Sequence, residues 1–153
     1  MPAHKAPWHP PAPMTDAQLA RFLSHVELSP TGCWLWTGAV IKGRGTVMGH
    51  VRIGDRDYLA HRAAFLHFVG LIPIETPELD HLCRTPRCVN PTHLEPVTRA
   101  ENQRRAEEAM TKCSAGHPYD PANRYHRKNR PGRGECRSCV LERERRKRRR
   151  LAA

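Results

Sequence analysis

The sequence is poor in aromatic residues: three Trp, three Tyr and three Phe make up 6% of its 153 positions. Hydrophobic residues of all kinds reach only 39%, so a large self-sufficient apolar core is excluded and something besides burial must brace the fold. No run approaches the ~20 apolar residues of a membrane span, and the first residues lack the apolar stretch of an export signal. An intracellular, cytoplasmic protein with no membrane partner is expected. Acidic residues are scarce as well, 15 against 26 Lys and Arg, for a net charge of +11. Such an excess is the footprint of a polyanion binder, with nucleic acid the leading candidate. Positions 1–100 hold 10 basic and 8 acidic residues, whereas 101–153 hold 16 and 7, so the polyanion contact is expected to be strongest in the C-terminal third. The length suits one compact domain or two small ones.

What the chain does have is thiol and imidazole, six Cys and ten His. In a reducing compartment such cysteines are metal ligands or reactive thiols more often than disulfides. Residues 1–14, with five prolines and no periodic pattern, read as a flexible arm. Thr15-Asp16 caps a predicted helix with Leu19, Phe22, Leu23 and Val26 at helical spacing, stopped by Pro30 and Gly32. Cys33–Gly38 reads as a strand, and Thr46–Ile53 alternates as one. Gly54-Asp55 then turns the chain into a return strand Arg56–Leu59. His61–Val69 reads as a short buried helix in which His61 and His67 are packing histidines. The stretch 71–79 reads as a connection. Thr98 with Glu101 predicts a capping box for a helix reaching about Met110.

Two constellations carry the chemistry. In Asp80-His-Leu-Cys-Arg-Thr-Pro-Arg-Cys-Val-Asn-Pro-Thr-His93, the residues Cys83, Cys88 and His93 sit five apart, and structural zinc wants four such groups. Cys33 and His81 both compete to be the fourth, and spacing does not choose between them. The second constellation is Cys113-x3-His117 with Cys136-x2-Cys139, a strong zinc spacing that ends in a knuckle opening a helix. Two zinc ions would answer the thin core, because structural zinc supplies an apparent ~10–16 kcal/mol of coupled folding energy. The chain then runs into Arg143, Arg145, Arg146, Lys147, Arg148, Arg149 and Arg150, a row suited to phosphate contact, while His50, Arg52 and Arg56 on the hairpin are candidates for reading DNA sequence.

The order Cys33, then Asp80-His81-x-Cys83-x4-Cys88-x4-His93, then Leu94-Glu95-x-Val97-Thr98-x-x-Glu101-Asn102, resembles the HNH endonucleases of phages and the related His-Cys box homing endonucleases. Ala60-His61-Arg62 and Cys88-Val89-Asn90-Pro91-x-His93-Leu94 support the likeness, which covers roughly residues 32–105. The resemblance implies an α+β fold: a zinc-braced ββα-metal (His-Me finger) core over 15–110, followed by a zinc-knuckle lobe with a basic helix over 111–153. It assigns Cys33, Cys83, Cys88 and His93 to zinc and leaves His81 as the general base. It implies Asn102 as ligand of a catalytic divalent ion such as Mg2+, Asp80 as a second ligand, Arg62 on the scissile phosphate, and Asn90 orienting His81 by a hydrogen bond. Some relatives carry an asparagine that binds the catalytic ion where His93 stands, and His93 in that role would leave the zinc a ligand short.

The function expected is a metal-dependent endonuclease of double-stranded DNA, encoded by a phage or mobile element, cutting to 5′-phosphate and 3′-hydroxyl ends. Double-strand cutting by one site per chain would call for a homodimer or sequential nicking. The competing class is a non-catalytic, zinc-dependent DNA-binding regulator, which has no need of the Asp80-His81 and Asn102 set. An RNA-binding zinc protein is the third.

Overall fold

The computed structural model describes residues 13–43, 46–127 and 130–152. Most of the expected N-terminal arm, 1–12, lies outside them. Backbone contacts divide the chain into a unit that ends at Arg99 and a unit that begins at Ala100. The architecture is α+β.

In the first unit, Thr15 caps helix α1 (Asp16–Leu23) through a reciprocal capping box with Gln18. The helix stops at Ser24, short of the expected Val26, which opens strand β1 (Val26–Leu28). The apolar periodicity ran on because Val26 packs against the same core from a strand. β1 pairs with β2 (Trp34–Trp36), and β3 (Val40–Lys42), β4 (Val47–Ile53) and β5 (Arg56–Leu59) form an antiparallel sheet. Helix α2 (Ala60–Phe68) follows without a loop. The expected connection 71–79 ends earlier than predicted, in β6 (Glu78–His81), which pairs with β7 (Leu94–Val97).

The core has two apolar clusters. One joins Met14, Phe22, Trp36, Ala60, Ala63, Ala64 and Val89, and the other Phe65, Leu66, Ile72, Leu79 and Leu94. Gly49 makes the first possible: a Cβ there would lie 2.7 Å from Trp36 and 2.9 Å from Ala60, so the indole approaches the strand backbone more closely than a side chain at 49 would allow.

The second unit holds α3 (Arg99–Glu108, which begins at the division), the hairpin of β8 (Arg124–Arg127) and β9 (Arg130–Cys136), and α4 (Arg137–Leu151). Among its described residues the one buried hydrophobic is Cys136. A unit so thin needs a cross-link of another kind. All six cysteines are free thiols.

Candidate metal centres and the His81 site

The β6–β7 hairpin is interrupted by a twelve-residue excursion, 82–93, closed at its base by Leu82 N–H donating to His93 O at 2.9 Å. The excursion is stitched onto β2: Trp36 N–H donates to Arg87 O at 2.9 Å, and Val89 N–H to Trp34 O at 2.8 Å. Leu35 and Cys88 form an antiparallel bridge between those bonds. This stitching brings Cys33, at the start of β2, to the loop that carries Cys83, Cys88 and His93. The four ligand atoms lie within 4.8 Å of one another. Gly32, at φ 77°, turns the chain into the cluster and leaves room for the His93 ring, 3.7 Å from where a Cβ would stand.

His93 Nδ1 is 3.6 Å from both Cys33 Sγ and Cys88 Sγ. Bonds of about 2.3 Å to sulfur and 2.0 Å to nitrogen at tetrahedral angles separate such ligands by about 3.5 Å, so the set fits a zinc-sized ion. Burial pushes the Cys88 thiol up to about 12, whereas hydrogen bonds, that of Thr31 foremost, bring Cys33 down to about 6.

The second cluster is Cys113, His117, Cys136 and Cys139. A tight loop, with Gly116 at φ 85° and Cys113 N–H donating to His117 O, brings the first two together. Cys136 and Cys139 bracket the start of α4. His117 Nδ1 is 3.6, 3.6 and 3.3 Å from Cys113, Cys136 and Cys139. Its Nε2 lies 3.5 Å from Glu142 Oε1, a carboxylate placed to fix the ring as it is fixed in carboxylate–histidine–metal arrangements. Asn123 adds an amide Nδ2 that donates to Cys136 Sγ at 3.3 Å. The second cluster is the set predicted from spacing; in the first, spacing gave Cys83, Cys88 and His93, and the fourth member is Cys33, as the resemblance implied, rather than His81. Each cluster could hold a metal ion.

His81 lies outside the first cluster, at the last position of β6. Its Nε2 stands 3.0 Å from the carbonyl oxygen of Cys88. A carbonyl only accepts, so Nε2 carries the proton and Nδ1 carries the lone pair. The expected partner Asn90 is engaged elsewhere: its Nδ2 donates to Gly32 O at 2.8 Å, and its Oδ1 accepts from Thr92 N–H at 3.0 Å. A side-chain amide was the visible donor or acceptor in the sequence, whereas a backbone carbonyl leaves no sequence signal.

Burial lowers the His81 pKa from its ordinary value, with the Cys88 carbonyl and the Asp80 charge pulling the other way. Behind His81 lies His61, ring centroids 4.9 Å apart. His61 is 5% exposed and its Nδ1 has no hydrogen-bond partner. Desolvation, then the His81 and Arg62 charges, push its pKa down to about 3. Sequence reasoning put His61 in the packing but missed its place behind His81. His67 accepts from Met14 N–H at 3.2 Å.

Asp80 is buried, with Oδ1 3.0 Å from Arg84 Nη1. Arg62 donates to Pro77 O at 3.0 Å, near the other end of β6 from His81. Asn102 occupies the first turn of α3 in the second unit. On the hairpin, His50 and Arg52 lie 3.5 and 3.8 Å from Asp57, and Arg56 is exposed. Arg143 and Arg145 through Arg150 are exposed along α4. No helix among the described residues is long and apolar enough to cross a membrane.

The HNH endonuclease family model matches residues 58–104, from Tyr58 in β5 to Arg104 in α3. Comparison with curated proteins and with solved structures returned no match. The matched segment, about a third of the chain, encloses His81, its carbonyl partner and three of the four residues of the first cluster, and over this segment the match supports an HNH endonuclease assignment.

Proposed function

We propose that the protein is a metal-dependent DNA endonuclease in which His81 is the general base and zinc occupies both Cys/His clusters. The observation that carries this reading is the hydrogen bond from His81 Nε2–H to the Cys88 carbonyl, which leaves Nδ1 as the proton acceptor. Burial keeps the imidazole neutral, the form that can take a proton from water near physiological pH. A positioned base of this kind contributes typically ~10²–10⁴-fold.

The family pattern supplies the remaining parts. A divalent ion of the Mg2+ type takes oxygen donors, the role that the family pattern gives to Asn102 and to Asp80, whose carboxylate Arg84 would then have to share. When bound, the ion would stabilise charge on the phosphate and the departing 3′ oxygen. The family pattern gives Arg62 to the scissile phosphate, for which it would have to leave the Pro77 carbonyl. Asn90 acts at one remove, by tying the ligand loop to Gly32. In this reading the β6–β7 hairpin carries the base of the nuclease core, and α4 contributes sequence-independent affinity.

The test is conversion of supercoiled plasmid to open circle with Mg2+. His81→Ala is expected to slow nicking by about 10²-fold or more while leaving duplex binding near that of the parent. Parent-like cutting by His81→Ala sinks the assignment of the base. Duplex binding with no nicking by the parent under any divalent ion favours the regulator instead.

A further inference from the structure

In the first unit a cleft of about 580 Å³ opens between α1 and the β4 edge. Gln18 and Arg21, three residues apart on one face of α1, line it together with His25, just past the end of the helix. His50 and Arg52 line it from β4. His50 N–H donates to Ala39 O at 2.8 Å, and beyond that point β4 has no neighbour on the β3 side among the described residues.

The lining decides the class of ligand. No carboxylate borders the cleft, so a cation finds no counter-charge there. Phe22 and Trp36 form its floor but are each only 1% exposed, so no open ring is available for a nucleobase to stack on. What the walls offer is two guanidiniums, two imidazoles and an amide, a donor set for phosphate oxygens. Asp57 partly neutralises His50 and Arg52, but it is half exposed, and pairs of that kind yield readily to a phosphate. Arg21 has no carboxylate partner among the described residues.

We propose that this cleft seats the sugar-phosphate backbone of duplex DNA, with Arg21 as its principal cation. The inference rests on DNA being the substrate, and it adds α1 to the expected hairpin and basic-helix contacts.

The test is the affinity of the full-length protein for a labelled duplex without added Mg2+, measured across a salt series. Loss of one phosphate contact makes the log–log salt slope shallower by about 0.9, which at about 0.1 M salt is roughly an eightfold loss of affinity. Arg21→Gln is expected to show both changes, and Arg21→Lys to stay near the parent. Gln18→Glu keeps the capping box, because Glu at this position accepts from the Thr15 amide as Gln does, yet it puts a negative charge into the cleft. It is expected to weaken binding severalfold with no loss of folding. Parent affinity and slope in both Arg21→Gln and Gln18→Glu overturn the proposal and leave the open strand edge to a peptide. That result would leave the nuclease reading intact, whereas parent-rate nicking by His81→Ala would sink the nuclease reading and leave these affinities to decide the cleft.

Discussion

At the scale of single residues, two histidines twenty positions apart meet ring to ring, and their chemistry differs because only one has a partner. His81 is anchored by a carbonyl, whereas His61 is sealed behind it with a bare Nδ1. His61 therefore resists protonation in the folded protein down to about pH 3, against about 6.5 when unfolded. Between those values the unfolded chain binds a proton that the folded chain refuses, so stability falls as pH falls through this window. Lowering the pH from 6.5 to 5.0 should cost the parent about 1.5 kcal/mol more than it costs His61→Phe. Denaturant unfolding of both proteins at the two pH values measures the difference, and equal losses would refute it.

The same scale shows where sequence reading stops. Cys83, Cys88, His93 and the second quartet were legible because metal ligation writes itself as residue type and spacing, whereas Cys33, fifty residues upstream, was set apart from His81 only by the family resemblance. The partner of His81 was not, since any residue at position 88 has a carbonyl, and the placement of that oxygen depends on how the loop is stitched to β2.

At the scale of elements, local signals gave the start of α1, most of β4 and the Gly54 turn, because caps, alternation and tight turns are encoded within a few residues. β3 and the β8–β9 hairpin went unread although each pairs with its neighbour in sequence: Val40–Lys42 is exposed with no alternation to betray it, and Arg124–Arg127 is mostly charged and polar. Gly49 shows how an element's interior can depend on an absent side chain. Gly49→Ala, ordinarily tolerated in a strand, is expected here to drive a methyl into Trp36 and Ala60, both buried to 1% exposure or less. A loss of about 1–3 kcal/mol should appear as a lowered thermal midpoint, and an unchanged or raised midpoint would contradict the packing described.

At the scale of the whole molecule, apolar burial among the described residues is concentrated before Arg99, and the later unit has the hydrogen bonds of its hairpin and a Cys/His cluster that could hold an ion. Elemental analysis should find two zinc ions per chain. A strong chelator should unfold the unit after Ala100 first, with loss of amide-exchange protection in β8 and β9 while β4 and β5 stay protected. Simultaneous loss in both units would contradict that order. Cys136→Ser should lower the metal content by one ion and reproduce the same partial unfolding.

Cys88 serves two masters: its sulfur joins the first ligand quartet, and its backbone oxygen sets which nitrogen of His81 is bare. On the proposed reading, demetallating that quartet would disarm the enzyme indirectly, by letting the imidazole swivel and trade tautomers. Replenishing magnesium would then restore nothing until the thiolates had been reloaded.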